Sequence, residues 1–167
     1  MSEGDAEPVI RHGRPEEYDR FREIERVSEV VFAAAGIGPF PEDDLDHLAV
    51  SAVVLATGEP PVGFASVGIV DGVAHLWQIS VDPSVARRGL GTALVNSVCQ
   101  WAREQGYGAV TLTSFRDVPW NGPFYAKLGF RPVERPSSGL AAIRQHEKDI
   151  GDDDLGPRIA MRKDLLA

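Results

Sequence analysis

The chain has 167 residues and a formal net charge of −8, with 43% hydrophobic and 25% charged residues. These proportions are typical of a globular domain, and the negative charge argues against nucleic acid or an acidic membrane surface as the main partner. The acidic N-terminus lacks the apolar segment of a signal peptide, and a single cysteine, Cys99, excludes an internal disulfide. We therefore expect one cytoplasmic domain over residues 1–167, with residues 1–8 flexible.

The first third of the chain predicts a strand, a helix and an acidic segment. Val9 to His12 predicts a short strand, and Pro15 suits the first turn of a helix that runs to about Ala35. An apolar loop follows from Gly36 to Pro41. Because carboxylates are stabilised at a helix N-terminus, the acidic residues 42–46 predict the start of a second short helix. A role of this segment in recognition is the second interpretation.

The middle of the chain predicts a series of strands. Ala52 to Ala56 and Val62 to Val70 are apolar segments bounded by Gly and Pro. Asp71-Gly72 is a strong signal for a two-residue hairpin turn, so the second of these strands should pair antiparallel with Leu76 to Val81. Ala109 to Ser114 predicts another strand after a long helix. Because a strand–helix–strand unit crosses over, the last two strands should be parallel neighbours.

The C-terminal region predicts two helices and a final strand. Pro123 suits the first position of a very short helix, and Gly129 suits the position just past its end. Ser137 to Ile150 predicts a longer helix, and Arg158 to Arg162 predicts the strand that closes the sheet. Together the elements predict an α/β protein with a mixed, mostly antiparallel sheet and helices on both faces.

The segment after the strand Leu76 to Val81 carries the clearest functional signal. Asp82-Pro83 ends the strand, and Arg87-Arg88-Gly89-Leu90-Gly91 opens a helix with apolar residues at helical spacing. The first N–H groups of a helix have no partner within it, and the helix dipole adds positive potential there. Glycines let a ligand approach the main chain closely. A phosphate-bearing ligand is therefore expected.

Two familiar phosphate motifs do not fit this segment. A dinucleotide fingerprint needs a third Gly or Ala where this chain has Leu94. A P-loop needs a lysine after its last glycine, and Gly91 is followed by Thr92 instead. A tight strand-to-helix turn without any ligand is a third interpretation, and this segment alone supports it about as well as a binding site.

The segment resembles the signature of the GNAT N-acetyltransferase superfamily, in which Gln/Arg-x-x-Gly-x-Gly/Ala follows a strand ending in Val-x-Pro. The chain departs from that signature at Ala86, where Arg87 or Arg88 can supply the missing side-chain contact. The resemblance implies a GNAT fold with a splayed pair of parallel strands, and a loop that binds the diphosphate of acetyl-CoA. The matching residues are Val81, Asp82, Pro83, Gly89 and Gly91.

A second segment also resembles this superfamily. Tyr125-Ala-Lys-Leu-Gly-Phe130 is similar to its Tyr-x-x-x-Gly-Phe, and the wider stretch from Thr111 to Tyr125 resembles a bacterial subgroup with no agreed substrate. The resemblance implies that Tyr125 protonates the leaving thiolate, since a phenol is well matched to a thiol. Taken alone, a core tyrosine is the better interpretation. The order and spacing of the two motifs favour the catalytic role.

The resemblance also implies how acetyl-CoA lies across the two motifs. The thioester carbonyl is expected against main-chain N–H groups of the central strand, the diphosphate at the loop, and the pantetheine arm beside a side-chain amide. No metal is implied. The residues expected to bind the coenzyme are Ile79, Ser80, Val81, Arg87, Arg88, Gly89, Leu90, Gly91, Thr92 and Asn121.

The general base is not identified by the sequence. Strand alternation places His75, Trp77, Ile79 and Val81 on one face and Gln78 on the other, so the strand offers no carboxylate. His75 has a suitable ordinary pKa, although a lone histidine is more often structural.

The function implied is direct transfer of an acetyl group to a primary amine of a small molecule or peptide. The alternatives are a non-catalytic acyl-CoA sensor and a nucleotide-binding module. The sequence does not decide whether the protein forms a homodimer.

Overall fold

The computed structural model describes residues 7–43 and 45–165. The expectation that residues 1–8 are flexible falls almost entirely outside the described residues. Within them, no helix is long and apolar enough to cross a bilayer. The helices are α1 (Tyr18–Ala34), α2 (Leu90–Glu104), α3 (Gly122–Lys127) and α4 (Ser138–Ile150), with 3-10 turns at Pro15–Glu17, Pro83–Val85 and Asp152–Leu155. The strands are β1 (Ile10–His12), β2 (Val53–Thr57), β3 (Gly63–Val70), β4 (Val73–Val81), β5 (Ala109–Phe115), β6 (Arg131–Pro132) and β7 (Arg158–Asp164).

The seven strands form one sheet in the order β1-β2-β3-β4-β5-β7-β6. Only β4 and β5 are parallel, and they pair at just two positions, Ala74 with Val110 and His75 with Thr111. The predicted mixed sheet, the hairpin at Asp71-Gly72 and the parallel pair are therefore confirmed. The prediction that Arg158 to Arg162 closes the sheet is wrong, because the two-residue strand β6 pairs outside β7.

The second short helix predicted at residues 42–46 is also not found. In the described part of this segment, which omits Asp44, the chain has no regular secondary structure, and a turn follows at residues 47–50. Asp43 accepts a hydrogen bond from the Leu45 N–H at 2.9 Å, and Asp46 accepts one from the Leu48 N–H at 3.1 Å. Short carboxylates compete in this way with helical hydrogen bonds, which explains the error.

A bulge in β4 changes which side chains share a face. Gln78 pairs with Ser66 and Leu76 pairs with Val67, so Trp77 is an extra residue on β4. Before the bulge Leu76 packs into the core beneath α2, and after it Ile79 packs against the same core. The prediction that His75 and Ile79 lie on one face is therefore wrong, because one extra residue reverses the alternation.

The two faces of the sheet are packed differently. Beneath α2 and α3 lies an extended apolar core that includes Leu94, Val98 and Leu112. On the opposite face a smaller core, built around Phe21 and Phe64, lies under the first half of α1. The rest of that face, towards α4, carries polar side chains and surrounds a cavity. The expectation of helices on both faces is confirmed.

Candidate active site

The gap between β4 and β5 exposes main-chain groups of β4. Beyond His75 and Thr111 the two strands no longer pair. Asp82 donates its N–H to Val62 O at 2.8 Å, which fixes the direction of the main-chain groups at this end of the strand. Because N–H direction alternates along a strand, Ile79 and Val81 direct theirs into the gap, whereas the Ser80 N–H faces β3. Of the three strand residues expected to contact the thioester, two are therefore suitably oriented.

The loop before α2 has an unusual main-chain conformation. Arg87 and Gly89 have φ angles of 67° and 75°, in the left-handed region. Gly89 is the N-cap of α2 and offers no side-chain cap. Ala93 donates to Gly89 O at 3.0 Å, so the N–H groups of Leu90, Gly91 and Thr92 precede the first helical bond. Such groups favour an anion.

Glycine also keeps space open at this turn. A Cβ at Gly89 would meet nothing within 4 Å, and one at Gly91 would lie 3.6 Å from the Phe124 ring. The flanking Arg87 and Arg88 are exposed. A bare, positively polarised main chain beside two arginines fits a diphosphate, and the strand gap behind it fits an extended pantetheine arm.

Tyr125 lies on α3 and is buried, with 5% of its surface exposed. Its ring packs against Phe124 and Phe130, with ring centres 5.2 and 5.8 Å away. Burial raises the pKa of Tyr125, and the charge of Arg158 only partly opposes this. The phenol therefore stays protonated at neutral pH, as a general acid must. Tyr125 also lines the cavity, so it combines a core position with access to a ligand.

Asn121 is held more firmly than the sequence suggested. Its Oδ1 accepts a hydrogen bond from the Phe115 N–H at 2.6 Å, at the end of β5. The carbonyl oxygen of this side chain is thus committed to the protein. Only the NH₂ group of the Asn121 side chain remains for a coenzyme. The expected contact with the pantetheine arm is therefore a hydrogen bond that this NH₂ group donates.

A cavity of about 810 Å³ connects the strand gap to the space between α1 and α4. At one end it is lined by Ile79, Val81, Gly91 and Tyr125. At the other it is lined by polar and aromatic side chains from α1, the segment between α1 and β2, β5 and α4. In the described chain no group of three His, Cys, Asp or Glu residues could hold a metal ion.

His75 does not have the pKa that its residue type suggests. It is 1% exposed, and its Nδ1 lies 2.8 Å from Thr111 Oγ1. Burial lowers the pKa of His75 to about 4, although Glu147 acts in the opposite direction. A neutral imidazole of such low basicity is a poor acceptor for the proton of an ammonium ion. His75 therefore serves mainly as a packed polar group beneath Trp77, with ring centres 4.6 Å apart.

Sequence reasoning missed a carboxylate and a histidine that meet on the α1 side. Glu25 Oε2 lies 3.0 Å from His47 Nε2, and His47 Nδ1 lies 2.8 Å from Ser66 Oγ. The order carboxylate–imidazole–hydroxyl is that of a hydrolase triad, but Ser66 is completely buried and cannot be a nucleophile. No local pattern in the sequence links these residues, because they come from a helix, a turn and a strand.

A second unforeseen cluster lies between β5, β7 and α4. Glu147 accepts hydrogen bonds from Thr113 Oγ1 at 2.6 Å, from Arg144 at 2.8 Å and from Arg158 at 2.9 Å. The Glu147 carboxylate is thus committed to hydrogen bonds with two guanidinium groups of the protein itself. Asp152, from the turn after α4, lines the same end of the cavity.

Comparison with known proteins identifies the family. The model of the acetyltransferase (GNAT) family matches residues 14–130, which is more than half of the chain. The chain belongs to the GNAT family. The predicted family and fold are thus confirmed, as is the acyltransferase class.

The curated GNAT relatives match over short segments. A glucosamine 6-phosphate N-acetyltransferase of Trypanosoma brucei brucei is 43% identical over 63 residues, which cover 38% of this chain and 41% of that protein. An uncharacterized N-acetyltransferase of Methanocaldococcus jannaschii is 33% identical over 73 residues, or 44% of this chain and 32% of that protein. The chain therefore spans less than half the length of either relative.

Solved GNAT structures resemble the chain over almost its whole length. The PaiA N-acetyltransferase of Thermoplasma acidophilum, in complex with coenzyme A, has a TM-score of 0.67 and 16% identity, covering 95% of this chain and 99% of that one. The N-acetylglutamate synthase of Neisseria gonorrhoeae, complexed with coenzyme A and N-acetyl-glutamate, has a TM-score of 0.69 and 16% identity, covering 98% of this chain and 36% of that one. At such identity the likeness establishes the fold alone.

Proposed function

We propose that this GNAT protein transfers an acetyl group from acetyl-CoA directly to a primary amine of a small molecule. The observation that carries the proposal is one continuous cavity with free main-chain groups at one end and carboxylates at the other. Ile79, Val81 and Gly91 line one end of this cavity, and we call them, together with the rest of the adjoining loop 87–92, the coenzyme end. We call the part lined by Glu25, His47, Glu147 and Asp152 the acceptor end.

At the coenzyme end, Ile79 and Val81 would donate to the pantetheine arm and the thioester carbonyl, whose charge grows in the transition state. The N–H groups of Leu90, Gly91 and Thr92 would bind the diphosphate. Tyr125 would donate its proton to the sulfur as the thiolate leaves. Among the described residues no main-chain hydrogen bond of the Leu90, Gly91 or Thr92 N–H group is found, and burial keeps the Tyr125 phenol protonated.

Direct transfer is supported by the positions of the nucleophilic side chains. Cys99 is 2% exposed on α2, in the apolar core, and burial raises the pKa of its thiol. Ser66, beside His47, is completely buried. An acyl-enzyme on either residue would require access that the packed core denies. Neither residue is therefore available as a nucleophile, which favours direct attack of the amine on the thioester.

We assign removal of the amine proton to Glu25. Its carboxylate lines the cavity and contacts His47. One turn further along α1, Ser28 Oγ lies 3.5 Å from Ser80 Oγ of β4. This part of α1 therefore lies over the strand that would hold the thioester, and His47 can share the proton that Glu25 receives.

The test combines coenzyme binding with turnover. Wild-type protein and the Tyr125→Phe variant are titrated with coenzyme A, and thiol release from acetyl-CoA is followed with a panel of amines. Tyr125→Phe should lower kcat at least about 100-fold, with coenzyme affinity changed by no more than about threefold, since only the hydroxyl is removed. Tyr107→Phe, outside the cavity, is the matched control and should behave as wild type.

Two results would contradict the proposal. Absence of any coenzyme A binding, by heat or by thermal shift, would remove its basis. Tight binding without thiol release from any amine, and unchanged by Tyr125→Phe, would favour the acyl-CoA sensor instead.

A further inference from the structure

Arg158 lines the cavity beside Glu147, and part of its guanidinium group has no hydrogen-bond partner. The side chain is 12% exposed. Both hydrogen bonds found for the guanidinium group are donated by Nη2, to Glu147 at 2.9 Å and to Thr113 at 3.2 Å. Within the described chain the buried Nε has no partner. Because a buried donor without a partner destabilises the folded protein, a ligand atom that accepts from Arg158 would be favourable.

The guanidinium group of Arg158 is held in place before any ligand binds. Its central carbon lies 4.5 Å from the centre of the Phe115 ring. Glu147, which accepts from Nη2, also accepts from Arg144 at 2.8 Å, and Arg144 donates to Asp153 at 2.7 Å. The ion pair of Arg158 therefore belongs to a network. A donor that is already oriented binds its ligand with a smaller loss of conformational entropy.

One wall of the cavity joins Arg158 to α1, the helix that carries the proposed base. The centre of the Phe115 ring lies 4.5 Å from the guanidinium carbon of Arg158 and 5.9 Å from the Phe32 ring of α1. Phe32 follows Ser28 by one helical turn, and Ser28 Oγ lies 3.5 Å from Ser80 Oγ of the strand that would hold the thioester. A molecule whose amine lies beside α1 can therefore extend along this wall to Arg158.

Two kinds of ligand oxygen fit the unused donors of Arg158. A carboxylate would form charge-assisted hydrogen bonds with the guanidinium group. It would also be repelled by Asp152, which lines the same end of the cavity. An amide oxygen would accept the same hydrogen bonds without this repulsion. Both groups share one feature, an oxygen atom that accepts from Arg158.

On the basis of the acetyltransferase function proposed above, we infer that the substrate amine also carries a carboxylate or amide oxygen, as an amino acid or its amide does, and that Arg158 is the specificity-determining residue that binds this oxygen. The amine nitrogen lies at Glu25 and the oxygen at Arg158, so each polar group of the substrate has a partner of its own. An amine without such an oxygen leaves the donors of Arg158 unpaired and binds more weakly.

Matched amines test the inference by NMR titration of protein saturated with coenzyme A. Glycine, γ-aminobutyrate and ε-aminocaproate are compared with their amides and with ethylamine, butylamine and hexylamine, which have the same numbers of carbon atoms and no oxygen. The three chain lengths vary the separation between nitrogen and oxygen. At the best length we expect the acid or the amide to bind at least about tenfold more tightly than the alkylamine. Its binding should also shift the Arg158 Nε–H signal, and comparing acid with amide identifies the oxygen group that is bound.

Arg158→Lys should reduce this preference to no more than about twofold, because lysine can keep the ion pair with Glu147 but has no second nitrogen to offer a ligand. Arg144→Lys is the matched control and should keep the wild-type preference. Arg144 is similarly buried and donates to the same carboxylate, but it does not line the cavity. Coenzyme affinity should be unchanged in both variants.

The inference is overturned if every alkylamine binds as tightly as the acid and the amide of its length, if Arg158→Lys keeps the preference, or if no amine binds while coenzyme A does. The comparison in wild type uses no variant, so it decides the inference even if Arg158→Lys does not fold. Failure of coenzyme A to bind would instead count against the proposed function. In that case the series is repeated on the free protein, where the same ranking decides the inference.

Discussion

The coenzyme end of the cavity is made of main-chain groups, whereas the acceptor end is made of side chains. Residues 87–92 and the gap-facing groups of Ile79 and Val81 belong to one strand–loop–helix unit. The acceptor end draws Glu25, His47 and Asp152 from segments far apart in the chain. A main-chain site tolerates many sequences as long as glycine occupies the required positions. A side-chain site changes its chemistry with each substitution, so the two ends should respond differently to mutation.

The largest expected effect concerns His75, a buried side chain of β4 beside the cavity. Unfolding allows this residue to take up a proton once the pH is below about 6.5, whereas burial holds its folded-state pKa at about 4. The free energy of unfolding should therefore fall by about 3 kcal/mol more between pH 7 and pH 4 in wild type than in His75→Gln. Chemical denaturation across this pH range measures the difference.

The exposed His12→Gln variant is the control for this measurement and should follow wild type. Parallel pH curves for wild type and His75→Gln would show that His75 is accessible to protons in the folded state.

The next effect concerns the proposed base. Glu25→Gln should lower kcat about 100-fold, because the amide cannot accept the amine proton. Coenzyme affinity should stay the same, since Glu25 lies at the acceptor end. Glu23→Gln is the matched control, because Glu23 is exposed on the same helix and pairs with Arg20 at 3.2 Å. Equal kcat values for the two variants would argue that water or bulk buffer removes the proton.

The smallest effect isolates the coenzyme end. A Cβ at Gly91 has room in the folded protein, and alanine is the better helix former by up to about 1 kcal/mol. Gly91→Ala should therefore leave the melting temperature unchanged or slightly raised. Coenzyme A affinity should fall about tenfold, because the methyl group lies where the diphosphate approaches the main chain.

Gly108→Ala is the control for Gly91→Ala, since a Cβ at Gly108 has room as well and meets nothing within 4 Å. If Gly91→Ala binds coenzyme A as tightly as Gly108→Ala, the diphosphate does not contact this turn. The proposal that main-chain groups of the coenzyme end bind the coenzyme is then wrong.

Most of the fold could be predicted because its signals are local. The Asp71-Gly72 turn and the Pro123 and Gly129 helix ends depend on main-chain preferences of a few residues. The hairpin turn at Asp71-Gly72 also shows what local signals cannot predict. Asp71 accepts a hydrogen bond from the Gly139 N–H at 2.8 Å and so caps α4, 68 residues away. Nothing in a hairpin signal predicts a tertiary cap.

Two predictions were wrong, the alternation of side chains along β4 and the strand at the edge of the sheet, because both depend on tertiary contacts. The bulge at Trp77 depends on Gly68 of β3, because a Cβ there would lie 2.3 Å from Trp77 Nε1. Strand β6 has two residues, too few to show any periodicity. In each case the decisive partner lies in another part of the chain, where pattern analysis of one segment cannot detect it.

The sequence by itself determined the family and the order of most elements, and it predicted the segments that we propose as the coenzyme end. These depend on short segments in which glycine, proline and apolar spacing act on neighbouring residues. Tertiary structure alone decided the acceptor end and its surroundings: that Glu25 meets His47, that burial depresses the pKa of His75, and that Asp152 lines the cavity. Charge interactions and burial are properties of residues brought together in space, so they exist only once the sheet and its helices have packed.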